Sequence, residues 1–416
     1  MKIKDIEIIW LDVPFHEVPH RNTERRLSRW HIIEICRVTT DNGLTGFGET
    51  LPHYTWGRVT DAAIERARGG NPFELVWDKS MGAGLQMALL DIMGKAAEVP
   101  VYQLLGTKHR DWCPISWWGI DMSPEDFALE AASAVEQGYM SFKQKARPWW
   151  DVYEQARLSS EVVPENFKLD LDFNAMLNNA STAVPILKKL DKYSKIAIYE
   201  SPIPQDDVEG NRRIRQQARC AIAMHYGSPP IMTALREEVC DGFVIGGEVR
   251  SIMDQFHVVS TANLVGWLQM VGTAWTTTLA LHLGAVCTHA RWPAVTCMNM
   301  YVDQLVTEPI EVRGGYARVP EKPGLGIEFN EDSLKWRVDS IEKENVRAVY
   351  ALKRSNGEKT WYHAEGESSY INDAMAGNQP VCEHGVCLER WDDDGSKDWK
   401  DLNERITEHG PVRSRE

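Results

Sequence analysis

Lys143-Gln144-Lys145 places two ammonium groups two residues apart inside the run GYMSFKQKARPWW, residues 138–150. In a strand, alternate residues face the same way, so both charges would point to one side and repel. Asp172 follows Lys145 by 27 residues, Glu200 follows Asp172 by 28, and Tyr226 follows Glu200 by 26. One strand–helix unit of a closed eight-unit barrel spends roughly 30 residues. Equal steps therefore bring Lys143, Lys145, Asp172 and Glu200 to one level on successive strands, around one mouth at their carboxyl ends. Singly, each has a plainer explanation: an acid after a strand is commonly a helix cap, and paired lysines are commonly a solvated face. As a set, carboxylates and an anion sharing the mouth with the lysines give the paired charges a reason.

The elements that must position them are legible as short apolar runs. From about residue 113 these are CPISWWG, YMSFKQKA, FKLDLDFN, IAIYESPI, CAIAMHYG, CDGFVIGG, LVGWLQMVG and AVTCMNM, separated by longer amphipathic stretches. Alternation of this kind predicts parallel βαβ units, and eight of them predict an α/β barrel. Ahead of them, HIIEICRVTT, the turn Asp41-Asn42-Gly43 and LTGFGE predict an antiparallel hairpin. Residues 83–105 carry the helical recurrence of Leu85, Leu89, Ile92 and Met93.

The 416 residues hold 60 acids against 46 Lys plus Arg, a net charge of −14. That balance disfavours a nucleic acid or an anionic membrane as partner, but leaves a small anionic substrate open. No stretch reaches the roughly 18 uncharged apolar residues a membrane helix needs. The opening MKIKDIEIIWLDVPF lacks an apolar core followed by a cleavage site, and the eight cysteines are scattered, so a reducing cytoplasm is expected. Cys382, His384 and Cys387 cluster, but at a spacing that fits no common zinc pattern.

These motifs, in this order, resemble the enolase superfamily in its mandelate racemase / muconate lactonizing branch. TTDNGLTGFGE resembles the first-hairpin motif, and ALLDIMGKAAEVPVYQLLG the helical segment before the barrel. KQK at 143–145, LDFNA at 171–175 and YESPI at 199–203 match the Lys-x-Lys, Asp-x-Asn and Glu-x-Pro of successive barrel strands. VPEKPGLGIEF at 319–329 resembles the closing Pro-Gly-Leu-Gly motif. The resemblance implies a modified (β/α) TIM-type barrel with an α+β capping domain. The cap spans 1–112, the barrel 113–318, and 319–416 completes the cap and extends beyond it. It also implies Mg2+ bound to a substrate carboxylate, stabilising the enediolate left when a base removes the α-proton. Lys145 would be that base, with Lys143 depressing its pKa. A homo-oligomer is expected on the same ground.

Two departures stand out. The family places a third metal carboxylate after the fifth strand, where this chain has IAMHYGSPP; Tyr226 holds the position with His225 beside it. Magnesium on Asp172 and Glu200 alone, another metal, or none are the options. The family also places titratable groups after the sixth and seventh strands. Here the sixth ends in Gly246-Gly247, Asp241 sits at its start, and WLQMVGTAW on the seventh carries none. A one-base reaction fits better than a two-base racemase.

For the substrate, HRNTERRLSRW at 20–30 falls where the family's specificity loop lies. Arg25, Arg26 and Arg147 are candidates for carboxylate recognition, or a solvated basic loop. Asn174, Gln269 and Trp117 complete the candidates, although core packing accounts for most of the sixteen tryptophans. The expected activity is that of an acid-sugar dehydratase or related racemase or isomerase. A degenerate barrel that only binds a ligand or partner is the alternative, and a metal-free Schiff-base lyase a third. Residues 340–416 predict a hairpin around Asn356-Gly357 and a charged surface segment or subunit contact, with no assigned chemistry.

Overall fold

The computed structural model describes residues 1–54, 57–342 and 347–415. Strands β1 (Ile3–Asp12), β2 (Ile32–Thr40) and β3 (Thr45–Thr50) form an antiparallel sheet. Its buried face takes the helix Ala83–Ala96, whose residues from Gly84 to Gly94 are all buried. Two glycines permit that approach. A Cβ on Gly48 would stand 1.9 Å from the carbonyl oxygen of Gly84, and one on Gly46 2.5 Å from that of Ala88. The helical pattern read through residue 105 is broken at Pro100, and Val101–Leu105 resumes as a separate turn.

The eight apolar runs become eight strands: β4 (Trp112–Gly119), β5 (Ser141–Lys145), β6 (Lys168–Asp172), β7 (Ile196–Glu200), β8 (Ala221–His225), β9 (Gly242–Ile245), β10 (Val265–Leu268) and β11 (Ala294–Val295). Neighbours pair in parallel from β4 to β10. β11 pairs with β4 on one side and meets β10 through Gln269↔Val295 on the other, which closes the barrel. The intervening helices carry apolar faces and start at side-chain caps, as at Ser123, Asp151, Asn179, Asp207 and Glu248.

A hairpin of β12 (Val312–Arg313) and β13 (Tyr316–Arg318) lies against the start of β4, and β14 (Arg337–Val338) returns to pair with β1. The segment bearing Pro-Gly-Leu-Gly locks onto the long helix: Asp91 accepts from the Leu325 amide at 2.9 Å, and Gly324 has φ +76° where a Cβ would strike Asp91. The chain ends in a second antiparallel sheet, β15 (Ala348–Lys353), β16 (Glu358–His363), β17 (Cys387–Asp392) and β18 (Val412–Arg415), in the order β17-β15-β16-β18. The predicted hairpin around Asn356-Gly357 joins β15 to β16. The charged segment that follows forms the helix Lys397–His409. Among the described residues no helix is long and apolar enough to cross a membrane.

Candidate active site

Parallel register sets the site. Lys145 pairs with Asp172, Asp172 with Glu200, and Glu200 with Ala223, so three charged residues lie side by side at the ends of β5, β6 and β7. Two residues earlier, Lys143 pairs with Asp170 on the same inward face. His225, two residues beyond Ala223, shares that face. Lys143, Asp172 and Glu200 are buried to within 1% of full enclosure.

The two lysines have different partners. Lys143 donates to Gln269 Oε1 at 2.7 Å and lies 2.6 Å from Glu200 Oε2 and 3.6 Å from Asp172 Oδ2, its ammonium 5.2 Å from the Trp267 ring centre. Lys145 donates to Asp172 Oδ2, and to Asn174 Oδ1 at 3.2 Å. Arg147 donates to the same Asn174 oxygen and, at 2.8 Å, to the Asp172 carbonyl. Asn174 is held in turn by φ +43° and by its amide, which donates to Asp172 Oδ1 at 2.8 Å.

Those surroundings separate the lysines chemically. Burial pulls the Lys143 ammonium down, but Glu200 and then Asp172 outweigh it, and its pKa ends above the usual lysine value. Burial also pulls Lys145 down; Asp172 opposes, Lys143 and Arg147 add repulsion, and its pKa ends below the usual value. One lysine is thus fixed as a cation and the other eased toward the neutral amine a base requires. Asp172 lies well below the usual carboxylate range: burial would raise it, and Lys145, Lys143 and Arg147 prevail.

Gln269, Asn174 and Arg147 therefore stand in the cluster with both lysines, Asp172 and Glu200. His225 reaches it, Nε2 at 3.2 Å from Glu200 Oε1. Tyr226 does not: one residue further along, it faces the opposite side, its ring edge-on to Phe243 at 5.7 Å and within the field of Asp254 on the outer helix Val249–Thr261. Trp117 also faces outward, where its indole donates to the buried Glu130 at 2.8 Å. Its neighbour Trp118 is the inward one, paired with Lys143 and stacked on Trp30 at 5.8 Å. Arg25 is a buried structural cation, 2.7 Å from Asp121. Arg26 is exposed, close enough to be felt by Arg147.

Asp170 was not among the sequence candidates. It is buried, one Oδ lacks a partner, and burial raises its pKa to about 7. The signal was present in LDLD, whose two acids share a face by strand period.

For a divalent ion, no three His, Cys, Asp or Glu side chains form a ready ligand group among the described residues. Two carboxylates do converge, and Glu200 keeps both oxygens buried without a hydrogen bond, since its contacts to Lys143 and His225 are off-angle. Orphaned anionic oxygens beside Asp172 fit a magnesium ion completed by substrate and water, as one or two carboxylates commonly suffice.

The model of the family described as enolase C-terminal domain-like matches residues 126–333. The N-succinyl-L-Arg/Lys racemase of Bacillus cereus is 26% identical over 336 residues, spanning 72% of this chain and 89% of that protein. The D-gluconate dehydratase of Thermoproteus tenax is 25% identical over 395 residues, spanning 82% and 75% respectively. In three dimensions, 2-chloromuconate cycloisomerase from Rhodococcus opacus superposes with a TM-score of 0.65 at 20% identity, over 82% of this chain and all of that one.

Proposed function

Because the chain belongs to the enolase superfamily, in its mandelate racemase / muconate lactonizing branch, we propose that it is a lyase or isomerase in which Lys145 removes the α-proton of a carboxylate substrate. The observation that carries this is the different setting of the two lysines, Lys143 2.6 Å from Glu200 and 2.7 Å from Gln269, Lys145 on Asp172 and Asn174 between two other cations, a setting that lowers the Lys145 pKa and raises that of Lys143. Asp172 and Asn174 hold the Lys145 amine in place. Arg147 and the exposed Arg26 supply positive charge on the side where an anionic substrate would enter.

Asp172 and Glu200 would hold magnesium, which when bound supplies fixed positive charge to the carboxylate as negative charge develops on it. Among the described residues the ends of β9 and β10 offer Gly246, Gly247 and Gln269 in place of a titratable side chain, and Cys297 beyond β11, close enough to feel both lysines, has its thiol pushed up to about 12 by burial, which supports a one-base course. For a sugar acid, Lys145 takes the α-proton, the bond from the β-carbon to its hydroxyl breaks, and the same ammonium returns the proton to the departing oxygen as water. Relatives named as gluconate, arabinonate and xylonate dehydratases favour that class; those named as racemases leave reprotonation on carbon as the other outcome.

Calorimetry of Mg2+ and Mn2+ binding, on wild type and Asp172→Ala with and without a pool of sugar acids, tests the metal half. Binding that Asp172→Ala abolishes is expected. No binding by the wild type under any of these conditions would overturn it and favour a barrel that binds a ligand without turning it over.

A further inference from the structure

The solved 2-chloromuconate cycloisomerase is spanned completely by 82% of this chain, so about a fifth of the chain has no counterpart there. The C-terminal sheet of β15 to β18 is of that size, and it is not a loose appendage. β15 is buried on both faces. Val349 packs with Trp399 and Ile406 of the helix Lys397–His409. Tyr350 and Leu352, on the other face, join Tyr362, Tyr370 and Leu388 in a cluster with Trp149, Trp150 and Met176. The barrel residues in that cluster follow the ends of β5 and β6, the strands that carry Lys145 and Asp172. The sheet is therefore clamped onto the loops of the candidate site.

Polar contacts define the clamp. The Tyr370 ring meets Trp149 edge-on at 4.9 Å, and the Arg25 guanidinium lies 6.0 Å from the Trp150 ring centre. Arg25 donates to Asp121 at 2.7 Å, and Asp121 also accepts from the indoles of Trp149 at 2.8 Å and Trp150 at 3.1 Å. The Gly385 amide donates to Asp151 at 2.8 Å, and Arg390 pairs with Glu24. Trp149 is two residues from Arg147, which shares the Asn174 oxygen with Lys145. Contacts thus lead from Tyr370 through Trp149 to Asp121 and to the turn after β5, where the Trp150 amide donates to the Arg147 carbonyl at 3.1 Å.

We propose that residues 347–415 form a built-in wall of the active-site mouth and that Tyr370 is a positioning residue, fixing Arg147 and Lys145 through Trp149 and Asp121. This rests on the lysine cluster being the active site, but its test needs neither metal nor substrate. Trace acetylation with acetic anhydride at fixed pH, read by peptide mass spectrometry, gives the labelling of Lys145 relative to the exposed Lys4 in the full chain. Tyr370→Ala is expected to raise that ratio about tenfold by releasing the loop. Ile406→Ala, which weakens the same unit from its opposite face, is expected to leave it within about twofold. An unchanged ratio in Tyr370→Ala, or an equal rise in Ile406→Ala, would overturn the proposal. Should Tyr370→Ala fail to fold, Tyr370→Leu decides: it keeps most of the buried bulk and loses the aromatic edge on Trp149, so an unchanged ratio again overturns the proposal.

Discussion

The buried Asp121 carboxylate accepts from three side chains, and replacing it with Asn isolates what its charge does. Its side chain is 3% exposed and faces Arg25, itself 7% exposed, together with two indole donors. Burial pushes the carboxyl up, but Arg25 and Arg147 overcome it and hold the pKa at about 2, against 3.8 in an open chain. That difference corresponds to about 2.5 kcal/mol of stability from ionisation alone. An Asn also turns an amide donor toward donors and leaves Arg25 buried without its counter-charge, a loss of about 3–5 kcal/mol when a buried pair is broken. The expected cost of Asp121→Asn at pH 7 is therefore about 3 kcal/mol or more, read as the urea midpoint of unfolding. Because the folded pKa is depressed, the contribution is complete above pH 3.8 and disappears as pH falls through about 2. Wild type and variant should converge in acid. A variant as stable as wild type at pH 7, or a deficit that persists unchanged in acid, would refute the reasoning.

Other consequences follow from the same contacts. Burial raises Glu130 to about 7 from 4.5, so its ionisation removes stability as pH rises through that window, by about 3 kcal/mol. Glu130→Gln, which still accepts from Trp117, should raise the unfolding temperature at pH 8 and leave it unchanged at pH 4. Gly48→Ala would drive a methyl into the backbone of the long helix and should cost about 1–3 kcal/mol or more by chemical denaturation. In a pH–rate profile, activity should fall as pH drops through the lowered pKa of Lys145. Lys143→Gln removes a repelling charge, so the same limb should move to higher pH.

Much of the frame could be read from the residues because strands announce themselves by short apolar runs, and all eight runs are barrel strands. The levels of Lys145, Asp172 and Glu200 followed from near-equal spacing and are borne out by their register. What spacing does not resolve is a single residue, and in a strand one residue reverses the face. Counting 26 from Glu200 reached Tyr226, which points outward, when His225 is the inward side chain. Likewise Trp118, not Trp117, lines the barrel. Arg25 departs from the substrate role its loop suggests for a different reason: it is buried against Asp121, 96 residues away, which no local pattern discloses. The C-terminal residues read as polar surface because their charges dominate the composition. The apolar run AVYALK held the contrary signal, a strand covered on both faces.

In the proposed reaction Lys145 takes a proton from the carbon beside a carboxylate. Incubation with magnesium and a panel of sugar acids and N-acylamino acids in deuterium oxide, followed by proton NMR, measures it. Wild type should lose the α-proton signal of at least one panel member, by exchange or by conversion to product, and Lys145→Met should lose none. Exchange that survives in Lys145→Met at the wild-type rate would contradict the assignment of the base, and a panel untouched by wild type would contradict the proposed chemistry.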